Sequence, residues 1–190
     1  MEQVYVTDKI FEKTDFSLSP LAKGEYEQCT FVNCDFSNSD LSEIKFLSCE
    51  FSLCNLSLAK LNHTALSEAI FIDCKMLGLD FEACNDFGLS VSFRNCILNN
   101  SSFYKLKLKK TSFTACKLLE VDFSECDLSF AVFDNSDLSG ATFDNTLLEK
   151  SDFRKALNYS IDPERNRIKK AKFSYNGIIG LLGKYNIEVE

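Results

Sequence analysis

The chain has 190 residues, of which 45% are apolar and 26% charged, and its net charge is −7. This composition excludes a disordered chain, and no apolar run approaches the roughly 18 residues that a membrane-spanning helix requires. The negative charge also argues against general nucleic-acid binding, which needs a basic footprint. No stretch near the N-terminus resembles a signal peptide, so we expect a single-domain cytoplasmic protein.

An N-terminal strand or cap is expected over residues 1–10, because Val4, Tyr5 and Val6 form a β-prone run. From Phe11 onward a large apolar residue recurs at every fifth position, regularly from Phe31. A small residue usually stands two positions earlier. A period of five fits neither the period of about 3.6 residues of a helix nor the alternation of a strand, and it indicates a repeat protein.

The five-residue period shifts by two residues near residues 85–88, where Asp86 occupies a position due for an apolar side chain. We expect a bulge or small loop there, with Phe87 turned inward in place of Asp86. The period then continues from Phe93 to Phe153. An irregular, charged segment is expected over residues 158–168.

The period has a geometric interpretation if each group of five residues forms one side of a square coil. Four groups then complete a turn, turns stack about 4.8 Å apart, and residues twenty apart form columns. One column is phenylalanine throughout, and its neighbour is leucine or methionine after Phe36. The members are Phe31, Phe51, Phe71, Phe93, Phe113, Phe133, Phe153 and Phe173 in the first column, and Leu56, Met76, Leu98, Leu118 and Leu138 in the second.

These quintets resemble the A(D/N)LXX pattern of the pentapeptide-repeat family. Examples are Cys34-Asp35-Phe36-Ser37-Asn38 and Ser136-Asp137-Leu138-Ser139-Gly140. The resemblance covers residues 11–175 and implies an all-β fold, a right-handed quadrilateral parallel β-helix.

All nine cysteines lie at the small position two residues before a position of the period. None forms a C-x-x-C pair, and the single histidine, His63, supplies no plausible Cys/His metal site. We therefore expect buried free thiols that pack as small apolar side chains, without a metal or cofactor. No nucleophile has a base beside it, so we do not expect an enzyme.

One side of the predicted coil, centred on Leu41, Leu61, Phe81, Phe103, Phe123 and Phe143, is acidic. Its candidate partner-binding residues are Asp40, Glu43, Asp80, Glu82, Asp122, Glu125 and Asp144, against Lys60 and Lys105. Two interpretations remain open: the acids keep a stacked sheet soluble, or they imitate the charge row of DNA and occupy a protein's DNA channel. Basic clusters over residues 105–110 and 165–172 are expected to be solvated, with a second binding site as the alternative.

The five-residue period ends before the C-terminus. Residues 175–185 predict a short helix, and residues 186–190 alternate like a strand. An open β-helix end exposes unpaired backbone groups, so this tail either caps the last coil or mediates dimerisation. The residues assigned to this surface are Ile178, Ile179, Leu181, Leu182 and Tyr185.

A long β-helix that ends in a short apolar helix is similar to the Qnr-type proteins and their mycobacterial relatives. This resemblance implies an anionic rod that binds DNA gyrase or topoisomerase IV as a DNA mimic, protects it from quinolones and forms a homodimer through its C-terminal end. Many Qnr-type members carry two longer loops, whereas here only the two-residue shift interrupts the period.

Two functions are therefore expected from the sequence. The first is a non-enzymatic, DNA-mimicking binder of a type II topoisomerase, with quinolone resistance as its consequence. The alternative is a structural or scaffolding repeat protein whose partner is another protein or its own copies. Direct contact with nucleic acid or a membrane is not expected.

Overall fold

The computed structural model describes residues 4–185 and 187–188 and shows a parallel β-solenoid of about seven turns. Its strands are β1 (Val4–Thr7), β2 (Ile10–Glu12), β3 (Gly24–Glu27), β4 (Thr30–Val32), β5 (Lys45–Leu47), β6 (Glu50–Ser52), β7 (Ala65–Ser67), β8 (Ala69–Ile72), β9 (Val91–Arg94), β10 (Ser112–Thr114) and β11 (Val132–Asp134). Short 3-10 helices span Phe81–Ala83, Asn176–Leu181 and Gly183–Tyr185. The fold predicted from the sequence is confirmed.

Four sides of the coil follow from the strand pairing. The Phe side is a seven-stranded parallel sheet in the order β11-β10-β9-β8-β6-β4-β2, and the fourth side begins with β1, β3, β5 and β7. The Leu side and the acidic side are held by isolated parallel bridges, such as Asp15 to Asp35 and Ser102 to Asp122. Since partners in these ladders are mostly twenty residues apart, side chains of the same type stack directly on one another.

Stacked phenylalanine rings fill the core behind the Phe side. Phe113 lies between Phe93 and Phe133, with ring centroids 5.2 and 5.1 Å away and the rings nearly parallel. A second stack behind the acidic side begins at Phe81 and Phe103, 4.4 Å apart. The two stacks meet edge to face across the core, which is a favoured geometry for aromatic pairs.

Most corners of the coil are made by a residue in the left-handed backbone region, two positions after the inward apolar residue. Leu53, Lys110 and Phe130 adopt φ values of 55°, 63° and 62° there. A non-glycine residue pays about 1–2 kcal/mol for this conformation, so the corners persist because stacking on both neighbouring turns fixes them. The sequence signal for these corners is weak, since many residue types occupy them.

The small inward position holds side chains that donate to a backbone carbonyl of the preceding turn. The Cys126 thiol donates to the Phe103 carbonyl at 2.7 Å, and the Ser136 hydroxyl donates to the Phe113 carbonyl at 3.0 Å. All nine cysteines are free and buried. Burial raises the pKa of Cys84 and Cys126 to about 12, so these thiols stay protonated. Cysteine therefore serves here both as a small apolar side chain and as a weak donor.

The register shift is an outward loop between Asn85 and Ser90. Pairing of β8 with β9 joins residues 22 apart, as in Ala69 with Val91, while the Phe71 and Phe93 rings still stack. The expectation that Phe87 turns inward is wrong, because Phe87 is 89% exposed and Leu89 packs against the core instead. Asn85 explains this outcome: its side-chain oxygen accepts the Phe87 N–H at 3.0 Å and turns the chain outward.

We predict that Phe113→Ala lowers the free energy of unfolding by about 3–5 kcal/mol, because the ring is fully buried between two others. Phe130→Ala is the matched control, because this ring lies at a corner and is 45% exposed. Its cost is expected to stay near 1 kcal/mol or below. Urea unfolding of both variants measures the difference, and equal losses would contradict the stacked-core account.

Candidate functional site

The seven predicted acidic residues lie on one side of the solenoid. Ladder bridges join Asp40 to Lys60 and run from Asp80 through Ser102 to Asp122. Glu82 projects from the 3-10 helix Phe81–Ala83, which replaces the extended backbone at this point of the side. Glu43, Glu125 and Asp144 follow at the same side's outward positions.

Several of these acids are neutralised by cations on the same side. Asp40 pairs with Lys23 at 3.3 Å, and Glu125 pairs with Lys105 at 3.7 Å. Asp144 pairs with Arg165 at 2.7 Å. Sequence reasoning missed Lys23 and Arg165 as members of the acidic side, although Lys23 stands twenty residues before Glu43 and occupies the equivalent corner.

Four of the seven acids form no ion pair within the described residues: Glu43 near the N-terminal end, and three in the middle of the side. The three in the middle are Asp80, Glu82 and Asp122, which we call the acidic cluster. Asp80 and Asp122 lie two turns apart, about 10 Å along the axis. The pKa of Glu82 is raised, first by partial burial and then by the charges of Asp80 and Asp122. The cluster is therefore the part of the side where negative potential concentrates.

The C-terminal tail is helical, as expected, but it forms two 3-10 helices, Asn176–Leu181 and Gly183–Tyr185. The strand expected over residues 186–190 falls largely outside the described residues. The tail crosses the open end of the last coil, where the Ile161 N–H donates to the Gly180 carbonyl at 2.9 Å. Such a bond satisfies a backbone group that an open end would leave unpaired.

The predicted tail residues divide into two groups. Leu181 packs against the core and Leu182 is half-buried, so both help to cap the coil. Ile178, Ile179 and Tyr185 are 49%, 52% and 51% exposed. The tail thus contributes to the cap and also presents an apolar surface.

A charged contact fixes the far end of the tail. The Lys184 ammonium lies 2.9 Å from Asp162 and 2.6 Å from Glu164, both in the irregular segment. These hydrogen bonds lower the pKa of Asp162 and Glu164. Carboxylates with lowered pKa values stabilise the folded state above their ordinary pKa, and this contribution is lost as the pH falls through the folded-state value. Tail docking is therefore stronger at neutral than at acidic pH.

Within residues 4–185 and 187–188, no group of three or more His, Cys, Asp or Glu side chains is placed to hold a metal ion. Among the helices of that part of the chain, none is long and apolar enough to cross a membrane.

The stacked five-residue sides define a repeat protein of the β-solenoid class. Family models described as "Pentapeptide repeats (8 copies)" and "Pentapeptide repeat region" match residues 49–85 and 89–161, which together exceed half of the chain. The chain belongs to the pentapeptide-repeat family. None of the curated proteins matches its sequence significantly.

The fold is similar to structures of QnrB1, described as a plasmid-mediated fluoroquinolone resistance protein. A trypsin-treated variant of QnrB1 has a TM-score of 0.66 at 17% identity, covering 97% of this chain and 99% of that chain. Full-length QnrB1 has a TM-score of 0.59 at 18% identity, covering 95% and 99%. The solenoid thus resembles QnrB1 in fold over nearly its whole length.

We predict that Gly180→Ala undocks the tail. An added Cβ would collide with the Tyr159 carbonyl oxygen and lie 2.8 Å from its ring, whereas at Gly183 the nearest atom is the Ser160 hydroxyl at 3.5 Å. Hydrogen exchange of the Ile161 amide should accelerate about tenfold in Gly180→Ala, since local contacts of this kind contribute about 1–3 kcal/mol. Gly183→Ala should leave that rate unchanged. Equal protection in both variants would show that the tail does not cover this end.

Proposed function

We propose that this protein is a non-enzymatic DNA mimic that binds a type II topoisomerase, DNA gyrase or topoisomerase IV, through its acidic side. The observation that carries this proposal is the acidic cluster of Asp80, Glu82 and Asp122. Its carboxylates lie along the axis of the solenoid and lack ion-pair partners among the described residues. A DNA-binding channel is lined by cations that normally meet phosphates, so such a row of carboxylates suits it.

The electrostatics favour the middle of the acidic side as the contact. Asp40 and Asp144 already pair with cations of this chain, so a cationic partner would add little binding free energy at these two residues. The acidic cluster forms no ion pair among the described residues. Partial burial raises the pKa of Glu82 first, and the charges of Asp80 and Asp122 raise it further, while Lys105 partly offsets them. A cationic partner would relieve the repulsion between these carboxylates, so we expect ionised Glu82 to gain the most interaction free energy on binding.

The likeness to QnrB1 in fold and the resemblance of the repeats to Qnr-type proteins support this choice of partner. The described part of the chain has only the short loop at residues 85–90 as an outward interruption of the coil. In our proposal, the contact with the topoisomerase is therefore made by the flat acidic side rather than by long loops. Quinolone resistance would follow if the bound protein displaces DNA from the enzyme.

We further propose a homodimer through the exposed tail residues Ile178, Ile179 and Tyr185. Their apolar surface lies at one end of the rod, where a two-fold contact would lengthen it. A dimer would present two acidic sides to a two-fold symmetric enzyme.

We predict that D80N/E82Q/D122N weakens inhibition of gyrase supercoiling about tenfold, equivalent to about 1.4 kcal/mol. These replacements keep side-chain size, and the amide oxygen of the D122N side chain can still accept the Ser124 N–H that Asp122 accepts at 2.8 Å. The readout is the concentration giving half-inhibition, with and without a quinolone.

The matched control for this triple variant is D15N/D35N/D137N on the Leu side. It removes the same charge, and each aspartate likewise accepts the N–H of the serine two residues on. We expect the control to inhibit like the parent. Equal losses in both variants, or no inhibition by the parent, would reject the acidic side as the contact and favour a scaffolding role.

For the dimer, we predict that I178D/I179D yields folded monomers, because the two side chains are exposed and their replacement leaves the core intact. Light scattering coupled to size exclusion measures the mass. L18D, at an exposed leucine far from the tail, is the control and should stay dimeric. A monomeric parent chain would contradict the proposal.

A further inference from the structure

The fourth side of the solenoid changes sign along its length. Its N-terminal half carries Asp8, Glu25, Glu27 and Glu68 with Lys45. Its C-terminal half carries an excess of cations, all exposed, which we call the basic patch. The patch consists of Lys107, Lys109, Lys110, Lys150, Arg167, Lys169 and Lys170.

The fold brings together cations that are far apart in the sequence. A ladder of bridges runs from Lys107 through Asp127 and Leu147 to Arg167. Residues 107–110 and 167–170 therefore form two rows of three cations on one side, three turns or about 14 Å apart. Lys150 lies between the rows, so most cations of the two sequence clusters share one surface, whereas Lys105 and Arg165 belong to the acidic side.

Most of these cations are unneutralised. Lys109 pairs with Asp127 at 3.1 Å, and the other six form no ion pair among the described residues. The Lys150 ammonium lies over the Phe130 ring, 4.7 Å from its centroid, which holds the charge outward without cancelling it. Asp127 and Glu149 are the acids within the patch, so it carries a clear positive excess.

The backbone beneath the patch is rigid. Lys110, Phe130, Lys150 and Lys170 occupy one column of corners with φ values of 63°, 62°, 60° and 61°. Backbone bonds between turns fix this column, such as the Lys150 N–H to the Lys169 carbonyl at 3.0 Å. The cations are thus presented from a preorganised, flat surface.

Two observations favour a phosphate polymer over a protein as the occupant. Six of the seven cations are lysine, which is depleted at protein interfaces but well suited to phosphate contact as a point charge. A second copy docked antiparallel would match acidic to basic halves. With about seven turns spaced about 4.8 Å apart and a side roughly 10 Å wide, that contact would cover only about 350 Å² per copy, against roughly 800 Å² in a stable interface.

We propose that the basic patch binds the phosphate backbone of a nucleic-acid duplex. Two rigid rows about 14 Å apart can contact phosphates on both strands flanking one groove, whose width is about 12 Å for the major groove of DNA. No base contact is required, so binding is independent of sequence and strongly dependent on salt. The expectation of no direct nucleic-acid contact rests on the net charge of the chain, which conceals this surface because most of the excess acid lies on the acidic side. The inference does not rest on the proposed topoisomerase contact.

The test measures fluorescence anisotropy of a labelled duplex DNA of about 20 base pairs with the full chain, at about 20 and about 200 mM salt. K107E/K110E/K150E should weaken binding at least about tenfold and reduce the slope of log K against log salt by about 3. K60E/K75E/K117E is the control: it makes the same change in net charge at exposed lysines on other sides. It should keep the parent slope.

Several outcomes would overturn the proposal. These are absence of salt-dependent binding by the parent chain, equal losses in both variants, or equally tight binding to polyglutamate, which would indicate a carboxylate-bearing partner. Sedimentation velocity at the lower salt adds a separate readout. Self-association lost only in K107E/K110E/K150E, without any change in DNA binding, would assign the patch to a second copy. Melting curves of both variants confirm that each is folded.

Discussion

Stacking of side chains at intervals of twenty residues is the interaction on which the rest of this molecule depends. Each Phe113-type ring is clamped between identical rings about one strand spacing away and touches a second stack edge to face. Because both neighbours are themselves fixed, the strained left-handed corners are held without glycine at most positions. The same register also aligns the outward side chains, so charged residues that recur about every twenty residues in the sequence form a row on one side of the solenoid.

Because of that alignment, acidic and basic residues that cancel in the net charge of the chain lie on different surfaces. The acidic cluster of Asp80, Glu82 and Asp122 lies on the acidic side, whereas the basic patch lies on the adjoining side nearer the C-terminus. A net charge of −7 describes neither surface. The solenoid therefore has two charged surfaces of opposite sign. In our proposals, the acidic cluster binds a cationic channel and the basic patch binds phosphates. Both can be occupied at the same time because they face different directions.

The sequence predicts the columns well because one interaction, burial of an apolar side chain at every fifth position, dominates them. It fails where two weak signals compete. Phe87 and Leu89 are both apolar, and the turn at Asn85 decides that Leu89 packs inward. Residues about twenty apart are neighbours on adjacent turns, so the sequence suggests which charges could pair. Whether a pair forms, as between Asp144 and Arg165, depends on the length and direction of the two side chains, which the sequence does not give. The tail forms 3-10 rather than regular helix, and Gly177 and Gly180 lie close against Tyr159, a contact that the sequence alone does not reveal.

In our proposal, the acidic cluster takes the place of DNA in a topoisomerase. Its most direct test is competition: gyrase is loaded with a labelled duplex, and the protein is added as its K107E/K110E/K150E variant, so that the label reports only on gyrase. We expect the duplex to be released, with a midpoint concentration that rises about tenfold when Asp80, Glu82 and Asp122 are neutralised. The proposal would be contradicted if the duplex stayed bound at every protein concentration, or if the midpoint of release were the same with those three residues neutralised.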